Sequence, residues 1–232
     1  MQTKTFNIVA IGDIHGSTYW KEIVKSHPNS KYIFLGDYLD PASIPDNFNE
    51  TIDNLMEIIQ LKKEQPDNVI LLFGNHDLHY IPNTIERGAG YDIYTAGRNK
   101  QVLLSHFGLF QNAYQIDKYI FTHAGISHKW FVDDFKGDIH ANIADQLNNP
   151  KPKQLKALYR CGEIRGGDKG DIGGIFWADM SELENPLQGY TQIVGHNSVE
   201  NIEDYSNNGG RVIFCDCLNN RHYLQFGLYF GL

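Results

Sequence analysis

No apolar run in this 232-residue sequence approaches the roughly 18–20 residues that a bilayer-spanning helix requires. Cysteine is scarce: Cys161, Cys215 and Cys217 are the whole complement. An odd count without repeated spacing argues against a disulfide framework. Cys215-x-Cys217 reads as two small residues packed on one strand face. Positive charge is also short, with 20 Lys and Arg against 28 Asp and Glu and a formal net charge of −8. Stable nucleic-acid binding, which needs many Lys/Arg contacts to phosphate, is therefore not expected. The polar opening from Met1 to Thr5 lacks the pattern of a secretory leader, so a cytoplasmic location without membrane association is expected, and Asn49-Glu50-Thr51 is not read as a glycosylation site. Repeats, low-complexity tracts and clear linkers are missing too. The length suits one domain over residues 1–232.

What is present alternates between two patterns. Phe6 to Ile11, Tyr32 to Leu35 and Val69 to Phe73 are β-branched or apolar runs, each ending at a glycine. Helical patterns lie between them, one over Thr18 to Ser26 behind a capping Ser17. A second carries Ile52, Leu55, Met56 and Ile59 at i, i+3, i+4 and i+7. Strands alternating with helices predict a largely parallel sheet. Pro41 to Asp46 reads as a loop. Val102, Leu103, His106, Phe107 and Phe110 have helical spacing, and Ala113 to Ile116 with Tyr119 to Thr122 predict a hairpin. Ile139, Ile143 and Leu147 predict another helix. A helical and loop insertion is expected over about 127–174, with the Gly- and Asp-rich second half of Lys151 to Gly174 as a mobile loop. Gln192 to Val194, Arg211 to Cys217 and Tyr223 to Phe230 are expected strands, the last two joined by a turn at Asn219-Asn220. Antiparallel strands late in the chain favour two sheets packed face to face.

Six short motifs follow the apolar runs: Gly12-Asp13-Ile14-His15-Gly16, Gly36-Asp37-Tyr38-Leu39-Asp40, Gly74-Asn75-His76-Asp77, Thr122-His123-Ala124-Gly125, Phe176-Trp177-Ala178-Asp179 and Val194-Gly195-His196-Asn197. In open α/β sheets ligands bind beyond the carboxyl ends of the strands, which is where these residues fall. Mixed Asp, Asn and His donors suit Mn, Fe or Zn better than Ca or an iron–sulfur cluster. Such a set can build a two-metal centre of the kind that hydrolyses phosphate esters.

Taken together and in this order, Gly-Asp-x-His-Gly, Gly-Asp-x-x-Asp and Gly-Asn-His-Asp resemble the calcineurin-like metallophosphoesterases. The likeness is greatest to the branch holding PPP-type serine/threonine phosphatases, small bacterial and phage protein phosphatases and symmetrical diadenosine tetraphosphatases. It runs from Asp13 to His196. The resemblance implies an α/β fold of two packed mixed sheets flanked by helices, in four αββα layers. It implies two divalent ions, with Mn expected and Fe or Zn as alternatives. Asp13 and His15 would hold the first ion, Asp37 would bridge, and Asn75, His123 and His196 would hold the second. A hydroxide between ions roughly 3.5–4 Å apart would attack phosphorus directly. His76, oriented by Asp40, would protonate the leaving oxygen. Asp77 is expected as a cap or a support of the site. His79, His106, His128, His140 and His222 match no ligand position, though His79 is near enough in sequence to support the site.

The chain also departs from that pattern. PPP-type enzymes carry Arg directly after the position of Asp40, where this sequence has Pro41. A guanidinium clamps phosphate through two parallel bonds, so another residue is needed. Arg165, in Arg165-Gly166-Gly167, is the first candidate, with Arg87 and Arg98 behind it. Trp130, Phe131 and Phe135 read as the core of the insertion, with a platform for a nucleobase as the alternative. The expected substrate is a phosphorylated protein or a small phosphorylated molecule. A dinucleoside polyphosphate is the principal alternative, and a phosphodiesterase or a non-catalytic scaffold is less favoured.

Overall fold

The computed structural model describes residues 4–41 and 49–230. The expected Pro41 to Asp46 loop therefore lies, past Pro41, outside the described residues. The chain opens with β1 (Lys4–Ile11), α1 (Trp20–Ser26), β2 (Lys31–Phe34), α2 (Glu50–Glu64) and β3 (Val69–Leu72). Next come the one-turn α3 (Asn75–Leu78), α4 (Ala96–Ser105), β4 (Phe110–Gln111) and the hairpin β5 (Ala113–Ile116) with β6 (Tyr119–Thr122). The insertion supplies α5 (Ile143–Asn148) and α6 (Leu155–Leu158). Four strands complete the set: β7 (Thr191–Ser198), β8 (Glu203–Asn207), β9 (Gly210–Asp216) and β10 (Leu224–Phe230).

These strands form two five-stranded mixed sheets, ordered β10-β1-β2-β3-β4 and β5-β6-β7-β9-β8. Strands β1 to β4 run parallel, as do β6, β7 and β9. Alternate residues of each central strand serve different layers. Ile8, Ala10, Ile33 and Leu35 meet Phe121, Ile193, Ile213 and Cys215 in one apolar cluster between the sheets. Val9, Ile11, Tyr32 and Phe34 face outward onto Trp20, Ile23, Leu55 and Ile59 of α1 and α2. Val194, Val212 and Phe214 pack against Ala178 and Leu183 on the far face of the second sheet. Burial on both faces explains why these strands are continuous apolar runs. Among the described residues no helix is long and apolar enough to cross a membrane.

Several expected elements are altered by packing. The first helix begins at Trp20, and Ser17 accepts only from the backbone N–H of Tyr19 at 3.4 Å, so it does not cap that helix. The buried stripe of α2 runs through Ile58, leaving Met56 at its exposed margin. The helix expected to reach Phe110 stops at Ser105. Phe107–Leu109 tighten into a 3-10 turn so that Phe110 can pair with Leu71 and stack on Phe73. Ile139 lies outside α5. Strand β8, polar and largely exposed, is an edge strand with no apolar alternation to announce it. The expected pairing of the last two strands is wrong: β9 and β10 belong to different sheets. The 3-10 turn Leu218–Asn220, with Arg221 in the left-handed region, sends β10 back beside β1.

In the insertion, Trp130–Asp134 wind as a π-helical turn. Trp130 and Phe131 are fully buried, Phe135 stacks on Trp130, and the Trp130 indole N–H donates to the Ala157 carbonyl at 3.1 Å. The aromatic group is therefore an internal core and not a surface for a nucleobase. Further along, Arg160 ties the Gly- and Asp-rich segment down by donating to the Ile172 carbonyl and pairing with Asp134 and Asp171. Trp130→Ala is expected to lower stability by about 3–5 kcal/mol, since it leaves a cavity and removes the indole hydrogen bond. Urea unfolding checks this.

Candidate metal centre

The carboxyl ends of both sheets meet at one edge, and the motif residues gather there. His15, Asp37, Asp40 and His196 all hold positive φ angles, at 41°, 52°, 55° and 62°. Non-glycine residues avoid this region unless their surroundings fix them in it. For Asp37 the fixing group is Asp77. Its fully buried carboxylate accepts the backbone N–H groups of Asp37, Tyr38 and Gly74, each at 2.9 Å. One side chain thus joins the loops after β2 and β3, which makes Asp77 a cap. The glycines act in two ways. Gly36, at φ +107°, turns the chain in a conformation other residues avoid. Gly74 and Gly195 instead leave room, because a Cβ on either would collide with the carboxylate of Asp37 or of Asp13.

Hydrogen bonds fix which ring nitrogens face inward. His15 Nδ1 donates to the carbonyls of Leu39 and Asp40 at 3.0 and 2.8 Å, leaving Nε2 directed at Asp37 Oδ2, 3.6 Å away. His123 Nδ1 donates to the Leu35 carbonyl at 2.8 Å, so its Nε2 presents a lone pair 3.4 Å from the same oxygen. Burial keeps His123 below the usual imidazole range, and burial with the neighbouring His123 holds His196 well below it. Both rings are therefore neutral acceptors at neutral pH. Asn75 Oδ1 lies 2.7 Å from His123 Nε2 and 3.0 Å from His196 Nδ1, while His196 Nε2 is buried with no partner.

Ring lone pairs facing a carboxylate oxygen, with no donor between them, are mutually repulsive unless a cation fills the space. The residues therefore fit a metal. Two groups of ligand atoms, each within 4.8 Å of one another, are His15–Asp37–His76 and Asp37–His123–His196, and Asp37 is common to both. A third group, Asp40–His76–His79, is explained by the His76–Asp40 ion pair, with His79 Nε2 lying 2.7 Å from the same carboxylate.

Asp13 sits apart from these groups. Its carboxylate is buried and accepts the backbone N–H of His196 at 3.0 Å through either oxygen. Burial, with Asp216 and Asp37 nearby, raises it well above the usual carboxylate range. Asp216, pushed up to about 6 by burial and by Asp37, was not foreseen. Only its position at the end of β9 could have signalled it. Arg165 donates to Asn197 Oδ1 at 2.6 Å and pairs with Asp179 at 2.9 Å, which holds it beside His196. Asn197, the last residue of the sixth motif, also accepts the Met180 N–H and donates to the Ala178 carbonyl. Of the lesser candidates, Arg87 lies over the Tyr91 ring, whereas Arg98 is taken up by Asp53 and Asn49.

His76 stands on the open side of Asp37, and its backbone N–H donates to Asp37 Oδ1 at 2.9 Å. Its Nδ1 donates to Asp40 Oδ2 at 2.9 Å. Burial works against the imidazolium, but the Asp40 bond and the charges of Asp37, Asp40 and Asp77 outweigh it and raise His76 to about 9. A raised folded value means that this ring's contribution to stability is complete below its unfolded value of about 6.5 and disappears as pH rises through about 9. In metal-free protein, NMR should show His76 titrating near 9. Added divalent metal should lower that value, because a nearby cation disfavours the imidazolium.

Comparison with known proteins agrees with this geometry. The calcineurin-like phosphoesterase family model matches residues 6–214. The serine/threonine-protein phosphatase PP2A-like PPG1 of Saccharomyces cerevisiae is 26% identical over 183 residues, covering 77% of this chain and 43% of that protein. The serine/threonine-protein phosphatase 6 catalytic subunit of Caenorhabditis elegans is 24% identical over 191 residues, covering 75% and 46%. The chain thus spans slightly less than half the length of these two relatives. Among solved structures, a cold-active protein-tyrosine phosphatase of a psychrophilic Shewanella species shares the fold, with a TM-score of 0.57 at 19% identity, over 91% of this chain and 71% of that one. With nearly all of its paired strands inside the family match, the chain belongs to the calcineurin-like phosphoesterase family.

Proposed function

We propose that this chain hydrolyses phosphomonoesters at a two-metal centre, acting on phosphoserine or phosphothreonine in proteins or on a small phosphorylated molecule. The observation that carries this reading is Asp37: one buried carboxylate shared by two groups of imidazoles, of which His123 and His196 are held neutral while His76 keeps a proton. Two divalent ions bound there, Mn by the mixed oxygen and nitrogen donors, would polarise the phosphate oxygens and activate water. Asp13 and His15 would serve one ion, Asn75, His123 and His196 the other, and Asp37 both.

The chain's own groups supply the rest. His76 keeps a proton to give the leaving oxygen, and Asp40 fixes the ring that carries it. Arg165, held by Asp179 and Asn197, offers its guanidinium beside His196 for the phosphate, in place of the arginine absent at Pro41. A cavity of about 600 Å³ opens next to Arg165 and Trp177, lined also by Arg87, Lys156 and Arg160. It gives room for the remainder of a substrate among charges of both signs, since Glu86, Asp168 and Asp171 line it too. The internal position of Trp130, Phe131 and Phe135 removes the obvious nucleobase platform and so favours monoesters over dinucleotides.

The test is Mn-dependent hydrolysis of p-nitrophenyl phosphate, a phosphothreonine peptide, bis-p-nitrophenyl phosphate and diadenosine tetraphosphate, with Asp37→Asn as control. Cleavage of the two monoesters, lost in the control, is expected. Exclusive cleavage of the dinucleotide or the diester would overturn the monoester reading, and inertness of metal-loaded protein towards all four would overturn hydrolysis. Arg165→Ala should raise KM for the peptide about tenfold, the loss of one hydrogen bond to a charged group. Steady-state kinetics measures it.

A further inference from the structure

Asp40 is bound more heavily than a simple partner of His76 requires. Its side chain is only 4% exposed. Oδ2 receives His76 Nδ1 at 2.9 Å and also lies 2.7 Å from Nε2 of His79, itself 1% exposed. Oδ1 accepts the Tyr80 hydroxyl. The carboxylate cannot turn without breaking one of these contacts.

A short segment closes over the group. The Tyr80 hydroxyl accepts the Asp92 N–H at 3.0 Å, and Tyr91 stacks on Tyr80 with ring centres 5.0 Å apart. Tyr91 also meets His79 edge-on at 5.2 Å, and the Arg87 guanidinium lies 4.4 Å above the Tyr91 ring. Gly90, at φ +81°, passes so close that a Cβ there would come within 3.2 Å of both Asp40 and the His76 ring. Asp40 itself sits at φ 55°, a backbone conformation that does not hold unaided.

We propose that His79 and Tyr80 are positioning residues of the acid step, which fix Asp40 and through it the proton-bearing face of His76. The proposal rests on the hydrolytic reading above. A displacement of about 1 Å in a reacting group can cost about a hundredfold in rate, so a doubly braced Asp40 has a kinetic purpose. Neither residue touches the substrate. Their effect should therefore follow how much the leaving oxygen needs a proton.

The experiment compares an alkyl phosphate, whose leaving oxygen must be protonated, with p-nitrophenyl phosphate, whose leaving group departs readily as an anion. Tyr80→Phe and His79→Leu should lower kcat on the alkyl ester at least about tenfold more than on p-nitrophenyl phosphate, with KM little changed. His79→Gln, which restores a donor, should recover part of the loss. Neither variant should add to the defect of His76→Ala. Equal losses on both esters, or losses additive with His76→Ala, would overturn the proposal. A second readout needs no turnover: the low-field Nδ1 proton of His76 in metal-free protein should be visible by NMR and exchange away in both variants. Its absence from the wild type, or its persistence in both variants, would overturn the positioning role. A wild type inert on every ester would sink the functional reading alone and leave the NMR result to decide this one.

Discussion

The architecture turns on a repulsion that the protein itself does not relieve. Asp37 is buried, and its carboxylate faces the lone pairs of His15 and His123 with no donor between them. Such a constellation scatters unless a cation holds it or the scaffold does. Here the scaffold contributes heavily. Leu35, Leu39 and Asp40 lend carbonyls to the outer ring nitrogens, so the imidazoles can neither rotate nor switch tautomer at low cost. His76 supplies a backbone N–H to the other Asp37 oxygen. With their inner nitrogens fixed around one anion, these groups make a site whose empty form is under electrostatic stress and whose filled form is not.

That stress is shared with the backbone. Four site residues occupy the left-handed region, and Asp77 ties the loop that carries two of them, Asp37 and Asp40, to the loop after β3. Asp77 belongs to α3, a single turn with little stability of its own. Its purpose is to aim Asn75 and His76 outward while Asp77 reaches back. Three consecutive residues thus serve three needs: a metal donor, a proton carrier and a structural clasp. An isolated helix position never has to meet such demands, which is why so short an element holds so much chemistry.

The parts of this arrangement differ in how plainly the sequence displays them. The central strands were legible because both of their faces are buried, and Phe6 to Ile11 or Val69 to Phe73 can be little else. The motif residues were legible because each directly follows such a run. What escaped depends on contacts distant in sequence. Strand β8 is polar because it is an edge, so it carries no pattern. The pairing of β10 with β1 is set by the left-handed turn at Arg221 and by the free side of the first sheet, neither of which is written in residues 218–230. Met56 and Ile58 exchange roles through a small roll of α2 against the sheet. Asp216, Asn197 and the bracing of Asp40 by His79 and Tyr80 exist only because loops separated by dozens of residues or more converge. Two of the motif glycines, Gly74 and Gly195, matter for the space they leave, which no sequence pattern displays.

The partnership of β1 with β10 has a consequence in time. Strand β1 delivers Asp13 and His15, the first motif to be synthesised, yet one of its two neighbours is the last strand of the described chain. During translation β1 can pair with β2 at once, but its other edge stays open until β10 has emerged. An open apolar edge invites pairing with another nascent chain. Closure of the first sheet is also a contact of very long sequence separation, and such contacts form slowly. The sheet that carries the first motif is thus begun by β1 and β2 and closed only by β10, which makes β10 the step at which that sheet becomes whole.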